Sequence, residues 1–230
     1  MCKIQNIGNT FLSRQYFKEG IKRMKRWMRT GLLVAAAVLA CCGMIQYRQQ
    51  RMTEEIAEKV IRFHVRANSD AKEDQNLKLK VRDAIGAYMQ PKLSGISDIE
   101  DSRRVIREYL PQIAETAEDV VAQEGYTYDV KASLAVTDFP RKTYGDYTFP
   151  AGRYEALEVV IGAGGGHNWW CVMYPNLCFF NSAYEVVDDQ AKESLQRALT
   201  PEEYESLMEG KDYKIRFALA ERVAQFLEGL

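Results

Sequence analysis

The chain has 230 residues, 47% of them hydrophobic, and a formal net charge of -1. This length and composition are enough for one sizeable hydrophobic core. A net charge so close to zero gives no overall attraction to nucleic acid or to anionic lipid, so we expect no nucleic-acid partner.

The amino-terminal region differs from the rest of the chain in charge. Residues 1–30 carry eight Lys and Arg side chains against the single acid Glu19, and the uncharged apolar segment 31–45 follows directly. This order predicts a signal peptide or a membrane anchor, although the segment is shorter than the ~20 apolar residues of a comfortable transmembrane helix. The basic flank then stays in the cytoplasm and the bulk of the chain is exported. Met24 is an alternative start of the chain.

Cys41 ends the sequence "VLAC", which approximates the cleavage box of bacterial lipoproteins, with Leu39 where a smaller residue is more usual. Cys41 is therefore a candidate for lipidation. Alternatively, Cys41 and Cys42 are simply small apolar residues of a helix. Cleavage as an ordinary signal peptide and retention as an anchor both stay open.

The first strand and helix follow a polar bridge. The sequence "EKVIRFHVRANSD" alternates as a half-buried strand does. One face carries Ile61, Phe63, Val65 and Ala67, and the other carries Arg62, His64 and Arg66. Asp70 and Glu73 resemble a capping box, which predicts a helix from there to Met89, ending before Pro91.

A second helical pattern runs from Asp98 to Gln123, where Pro111 should kink or divide it, and Gly125 is placed as its stop. Strands follow in "YTYDVKASLAV", "YEALEVVIG" and "NWWCVMY", the first two joined by a turn-rich connection. The tail returns to helix, with Thr200 as the N-cap and a final amphipathic segment after it.

The order of elements predicts an α+β fold, in which an antiparallel sheet is covered by helices on one face, preceded by the amino-terminal export or anchor helix. We expect five segments along the chain. They are a basic cytoplasmic flank (1–30), a signal peptide or membrane anchor (31–45), a linker (46–59), an exported α+β signalling domain (60–181) and a helical carboxyl-terminal extension (182–230).

The glycine run in "IGAGGGHNWW" first suggests a phosphate-binding loop. A dinucleotide fingerprint needs glycine at the sixth position and a helix afterwards, but counting from Gly162 the sixth position is His167 and a strand-like aromatic run follows. A flexible or unusually tight loop between strands is the simpler interpretation.

Cys171 and Cys178 are the only cysteines beyond the export segment. Because Tyr174-Pro175-Asn176 between them forms a turn, the favoured interpretation is a Cys171–Cys178 disulfide across a hairpin in an oxidising compartment. Two buried free thiols are the main alternative. A thiol nucleophile at Cys171 with His64 or His167 as its base, or a zinc site built from the two cysteines and two histidines, would need features that the sequence does not supply.

The same region offers surface for a partner. Trp169 and Trp170 are adjacent, so in a strand they point to opposite faces; we expect one to fill the core and the other to be an exposed contact anchor. The polar face of the first strand forms a cationic row that could take an acidic partner, although a merely solvated face is the simpler interpretation. The candidates for contact are Arg62, His64, Arg66, Asn68, His167, Trp169 and Trp170.

Two long stretches, in the right order, resemble one family. "IRFHVRANSDAKEDQNLKLKVRDAI" and "FPRKTYGDYTFPAGRYEALEVVIGAGGGHNWWCVMYPNLCF", together with the exported amino terminus, resemble stage II sporulation protein R of endospore-forming Firmicutes. The resemblance runs from about residue 60 to residue 179. The first 23 residues and the tail from Ser182 are poorly covered.

The resemblance implies a function that composition could not. Members of the family are made in the forespore and exported into the space between the two septal membranes. There they activate a membrane-embedded aspartic-type protease of the mother cell, which cleaves the precursor of sigma factor E. This implies a developmental signal that is not an enzyme and needs no cofactor or metal. The alternative from the residues alone is a cell-envelope thiol hydrolase that uses Cys171 with His64 or His167.

Overall fold

The computed structural model describes residues 5–175, 177 and 189–209. The elements are helices α1 (Gln5–Glu58), α2 (Lys72–Leu93), α3 (Ile99–Glu108), α4 (Leu110–Gln123), α5 (Asp189–Ala198) and α6 (Pro201–Glu209), and strands β1 (Ile61–Arg66), β2 (Val130–Phe139), β3 (Lys142–Tyr144), β4 (Tyr147–Phe149), β5 (Gly152–Ile161) and β6 (Asn168–Tyr174). The α+β class predicted from the sequence is confirmed. The chain divides into two compact units, residues 1–51 and 52–230.

The first unit consists of α1 up to Arg51. Within it, an uncharged run with exposed side chains such as Leu32, Leu33 and Leu39 makes the helix apolar enough to cross a membrane, by length and composition. A signal sequence near the amino terminus has the same properties. The segment 46–59, predicted as a linker, continues the helix to Glu58, because it contains neither glycine nor proline to end it.

The second unit is built on a four-stranded sheet with the strand order β2-β5-β1-β6. The expectation of an antiparallel sheet is wrong for one pair, since β1 and β5 run parallel while β2–β5 and β1–β6 are antiparallel. The reason is topological. The chain between β1 and β5 includes the helices α2, α3 and α4. A connection of that length permits two strands to pair in parallel, which a tight hairpin turn does not.

One face of the sheet packs against helices α2, α3 and α4, as expected. Its core, called here the first core, takes Phe63 and Val65 from β1, Val159 from β5, and the buried sides of α2 and α4. Ile85 and Ile113 are fully buried in it. This is the apolar stripe that the 3.6-residue period of the two helices predicts.

The other face of the sheet is covered too, which the sequence did not indicate. The hairpin of β3 and β4 lies over it, together with the last turns of α1 and helices α5 and α6. This second core is rich in aromatic side chains. Its largest buried members are Phe139, Tyr144, Tyr147, Phe149 and Tyr154.

Several local predictions are confirmed by the helix ends. Pro111 divides the second helical pattern into α3 and α4, Asp98 caps α3 by accepting from the backbone of the first turn, and Gly125 ends α4 with a φ of 83°. Thr200 and Glu203 form a reciprocal capping box at α6.

Helix α2 departs from its prediction at both ends. Its N-cap is Ala71, whose methyl side chain cannot accept a cap bond. Asp70, the predicted cap, lies one residue earlier, and its carboxylate accepts from the His167 amide instead. The helix also continues past Pro91 to Leu93, since a proline close to the carboxyl end disrupts little of the helix. The final amphipathic segment after residue 209 lies outside the described residues, and the predicted domain bounds stay predictions.

Candidate functional site

The residues predicted to contact a partner come together at one end of the sheet, where β1 ends and β6 begins. Arg66 of β1 lies opposite Asn168 of β6, and His64 lies opposite Trp170. The loop after β1 and the glycine loop before β6 meet at the same end. The sequence named these residues one by one and predicted neither their common location nor which of their side chains are accessible.

Arg62 was expected on a solvated face, and this is wrong, because the second core buries it completely. Its guanidinium lies over the rings of Phe139 and Tyr154, at 4.5 and 4.9 Å from the ring centroids. The side chain donates to the carbonyl oxygen of Cys171 at 3.0 Å and to the hydroxyl of Tyr144 at 3.1 Å. Burial lowers the pKa of Arg62, and the aromatic rings take the place of a carboxylate partner. Arg62 is thus a structural cation and cannot contact a partner in this fold.

His64 is also buried, at 1% exposure, so the solvated-face expectation is wrong here as well. Its ring stacks on Trp170 with a centroid distance of 5.0 Å and an interplanar angle of 6°. Burial, with Arg66 and then Arg62 nearby, lowers the pKa of His64 to about 4. At neutral pH the ring is therefore uncharged, and its approach to Glu158 at 3.6 Å is not an ion pair.

Arg66 is the one member of this row that reaches solvent, with 43% of its side chain exposed. It lies 3.8 Å from the Glu158 carboxylate, which is itself partly exposed. The cationic row predicted from the sequence is therefore reduced to a single accessible charge at its end.

Trp169 and Trp170 do point to opposite faces, as the strand period predicts. Trp169 packs edge-on against Phe63 of the first core and lies under the Arg82 guanidinium at 5.0 Å. Trp170 packs against Phe139 at 4.7 Å as well as on His64. Both indoles are half-buried, so the expectation that one fills the core and the other is exposed is wrong.

The glycine loop, residues 162–166, is fastened to the loop after β1 and does not form a phosphate cradle. The amides of Gly165 and Gly166 donate to the carbonyls of Asn68 and Ala67, and the amide of Ala163 donates to the Asn68 side chain. Gly162 and Gly164 donate to the carbonyls of Asp129 and Ile161. Every amide that could bind a phosphate is already used within the protein.

Close packing explains the glycines. A Cβ on Gly166 would lie 2.2 Å from the carbonyl oxygen of Ser69, and one on Gly162 would lie 2.4 Å from the Asn68 side chain. Asn68, a predicted contact residue, thus acts inside the protein, since its amide nitrogen also donates to Asp74 at 2.9 Å. We call these two joined loops, residues 67–70 and 162–167, the glycine clamp.

The outer edge of the glycine clamp is formed by Asp70 and His167. The Asp70 carboxylate accepts from the His167 backbone amide at 2.6 Å and contacts its ring Nδ1. These hydrogen bonds lower the pKa of Asp70. Lys78 of α2 donates to the His167 carbonyl at 3.0 Å. With 81% of its side chain exposed, His167 is accessible from solvent, and its contact with a partner stays a prediction.

A cleft lies between β3 and the edge strand β6. It encloses about 280 Å³. The Tyr144 hydroxyl donates to the carbonyl of Trp170 at 3.0 Å and so joins the two walls. The residues that line this β3–β6 cleft are Lys142, Thr143, Tyr144, Asn168, Trp169 and Trp170.

The predicted thiol chemistry finds little support in the geometry. Cys171 is 3% exposed and is half of a disulfide bond. Cys178 lies outside the described residues, so the Cys171–Cys178 pairing stays a prediction. Cys41, the lipidation candidate, is an exposed free cysteine on α1. Across the described ranges, no three His, Cys, Asp or Glu side chains are placed to hold a metal ion.

The site residues lie within a segment that matches a known family. Residues 57–184, more than half of the chain, match the family model described as stage II sporulation protein R. The chain belongs to this family. The stage II sporulation protein R match begins in the last turn of α1 and includes β1, the glycine clamp and the β3–β6 cleft.

A curated relative supports the assignment and a role in sporulation. The chain is 38% identical over 144 residues to "Stage II sporulation protein R" of Bacillus subtilis (strain 168). The aligned region covers 62% of this chain and 64% of the relative, just under two thirds of its length. No solved structure matches the chain. The resemblance stated from the sequence is thus confirmed.

Sequence reasoning missed the cleft residues Lys142, Thr143 and Asn168, and it missed Asp70 as the partner of His167. One available signal was the density of aromatic residues in the connection between the second and third predicted strands. Such a segment buries too much apolar area to remain a plain loop.

Proposed function

We propose that this protein is an exported sporulation signal, made in the forespore, that activates a membrane-embedded aspartic-type protease in the mother-cell septal membrane. The activated protease then cleaves the precursor of sigma factor E. The observation that carries the proposal is membership in the stage II sporulation protein R family over residues 57–184.

The amino-terminal helix supports export. Its basic flank, with Arg23, Lys25, Arg26 and Arg29, favours the cytoplasmic side of a membrane. The apolar run that follows serves as a signal or an anchor, and the unit 52–230 then lies in the intermembrane space. The Cys171–Cys178 disulfide belongs to the same proposal, because that compartment permits oxidation.

The geometry also supports a signal over a thiol hydrolase. A thiol nucleophile must be an accessible thiolate beside a base, whereas Cys171 is almost fully buried. Alkylation of the unreduced protein should therefore leave Cys171 and Cys178 unmodified. Rapid modification of Cys171 in the folded protein would favour the hydrolase instead.

Activation by binding needs only a modest difference in affinity. A signal shifts the protease towards its active state by as much as its affinities for the two states differ. A tenfold preference corresponds to about 1.4 kcal/mol, which one aromatic anchor or a few charged contacts can supply.

The test is a three-component reconstitution in a host that lacks sporulation genes. The host makes the full chain, the protease and the sigma factor precursor, and cleavage of the precursor is followed by immunoblot. We expect cleavage only when all three are present. Equal cleavage without this chain would refute the proposal.

A further inference from the structure

The β3–β6 cleft has the size of a recess for side chains of another protein. Its volume of about 280 Å³ lies just below the ~300–1,000 Å³ of typical small-molecule sites. It is open to solvent along the edge of the sheet, so a segment of a partner can lie across it while one or two side chains enter it. An open recess of this size can take one or two side chains of an extended segment.

Lys142 places a cation among the residues that line the cleft. It is half-buried, and its ammonium group makes no hydrogen bond or ion pair with any residue in the described part of the chain. The nearby Arg66, opposite Asn168 in the sheet, is balanced by the Glu158 carboxylate at 3.8 Å, so Lys142 is the uncompensated cation among the described residues that line the cleft. The local charge therefore favours an acidic ligand.

The cleft also contains an acceptor that needs a donor. The side-chain oxygen Oδ1 of Asn168, which lines the cleft, is buried and has no hydrogen-bond partner among the residues that the structure describes. An unsatisfied buried acceptor costs about 1–3 kcal/mol, and this cost is recovered when a ligand donates a hydrogen bond. A carboxylate cannot donate, but the backbone N–H of the residue that carries it can.

The walls of the cleft are held in place before any ligand arrives. Tyr144 accepts from Arg62 and donates to the Trp170 carbonyl, while Thr143 is hydrogen-bonded to Thr148 across the β3–β4 hairpin. Trp170 is fixed by its stack on His64. Because these groups are already ordered, binding costs little additional conformational entropy.

We propose that the β3–β6 cleft binds an acidic residue of an extended segment on the extracytoplasmic side of the partner protease. The carboxylate of that residue pairs with Lys142. The Asn168 amide turns towards the cleft to accept its backbone N–H, and a neighbouring apolar side chain packs on Trp170. This assignment rests on the proposed function and names the surface through which it acts.

The experiment uses the full chain in the three-component host, with variants Lys142→Glu and Lys142→Arg. The control is Lys131→Glu, a charge reversal at an exposed position on β2, the opposite edge strand of the sheet. We expect precursor cleavage to fall at least tenfold in Lys142→Glu, which corresponds to about 1.4 kcal/mol of binding free energy. Cleavage should stay within about twofold of wild type in Lys142→Arg and in Lys131→Glu. Equal cleavage in Lys142→Glu and Lys131→Glu, with wild type active, would overturn the cleft assignment and leave the proposed function intact.

A photo-crosslinker identifies the occupant of the cleft. The photoreactive residue p-benzoyl-phenylalanine replaces Thr143 on the cleft wall, and the crosslinked peptide is found by mass spectrometry. We expect an acidic segment of the protease, and we expect reversal of its acid to Lys to restore cleavage with Lys142→Glu. A crosslink to a second copy of this chain, or to lipid only, would refute the assignment.

If the wild-type chain supports no precursor cleavage at all in the three-component host, the proposed function fails and the cleft assignment fails with it.

Discussion

The two faces of the four-stranded sheet are buried by different means. On one face, Phe63 and Val65 meet the aliphatic sides of three helices. On the other, Arg62 lies among aromatic rings from β2, β5 and the β3–β4 hairpin. His64 packs against Phe139 of β2 and Trp170 of β6 on the same face. The comparison shows that alternation along a strand predicts which residues share a face, but it does not predict whether a second layer covers that face.

The comparison is tested most strongly by one phenylalanine from each core. Phe63 and Phe149 are both fully buried. Replacing either by alanine should lower the free energy of unfolding by about 3–5 kcal/mol, because each leaves a cavity. Urea unfolding of the full chain in mild detergent measures both. A loss below about 1 kcal/mol in the free energy of unfolding for Phe149→Ala would show that the second core contributes little to stability.

The cation inside the aromatic core gives the next largest effect. Arg62→Ala removes a fully buried side chain and should lower the free energy of unfolding by about 3 kcal/mol. Arg62→Met fills much of the same space without a buried charge, so it should stay within about 1 kcal/mol of wild type. Urea unfolding gives the free energy of unfolding of both variants. Equal losses of stability in Arg62→Ala and Arg62→Met would mean that the charge of Arg62 is itself required for stability.

His64 makes the second face sensitive to pH. Its pKa is about 4 in the folded chain and about 6.5 in the unfolded chain. Between pH 6.5 and pH 4 the imidazole is therefore mostly protonated in the unfolded state and mostly neutral in the folded state. Stability is therefore lost as pH falls from 6.5 to 4. Each pKa unit is worth about 1.4 kcal/mol, so the loss reaches about 3 kcal/mol at pH 4.

The matched variant for this effect is His64→Phe, which keeps a flat ring on Trp170 but cannot titrate. Its stability should change less than that of wild type between pH 6.5 and 4 in parallel unfolding series. The same pH dependence in both proteins would exclude His64 as the cause.

The glycine clamp gives the smallest of the stability effects. Gly166→Ala places a Cβ against the Ser69 carbonyl and should cost about 2 kcal/mol or more, since backbone must move. Gly125→Ala is the control, because its Cβ meets nothing within 4 Å and only its positive φ is penalised, by about 1 kcal/mol. A smaller loss for Gly166→Ala than for Gly125→Ala would show that the clamp is loose.

Local signals in the sequence predicted much of the fold. Strand β6 has the predicted bounds, Asn168–Tyr174, and Pro111 divides the helices where its missing amide requires it. These features depend on the residues themselves. The parallel pairing of β1 with β5 does not, because it is decided by how distant segments pack.

The candidate site was predicted less completely, for the same reason. The sequence named Arg66, His167, Trp169 and Trp170 as separate candidates, and it did not predict that the folded chain brings them to one end of the sheet. It left out the cleft, because Lys142 comes from a hairpin about 25 residues before β6 and meets it only in the folded chain. Sites formed by long-range contacts leave little trace in local patterns.

We propose that the unit 52–230 acts from outside the cytoplasm. The decisive measurement compares precursor cleavage with two chains in the three-component host: one in which an unrelated cleavable export signal replaces residues 1–45, and one that lacks residues 1–45 and stays in the cytosol. Both must be soluble and present at equal levels. We expect precursor cleavage only with the exported chain, and equal cleavage with the cytosolic chain would show that export is not needed.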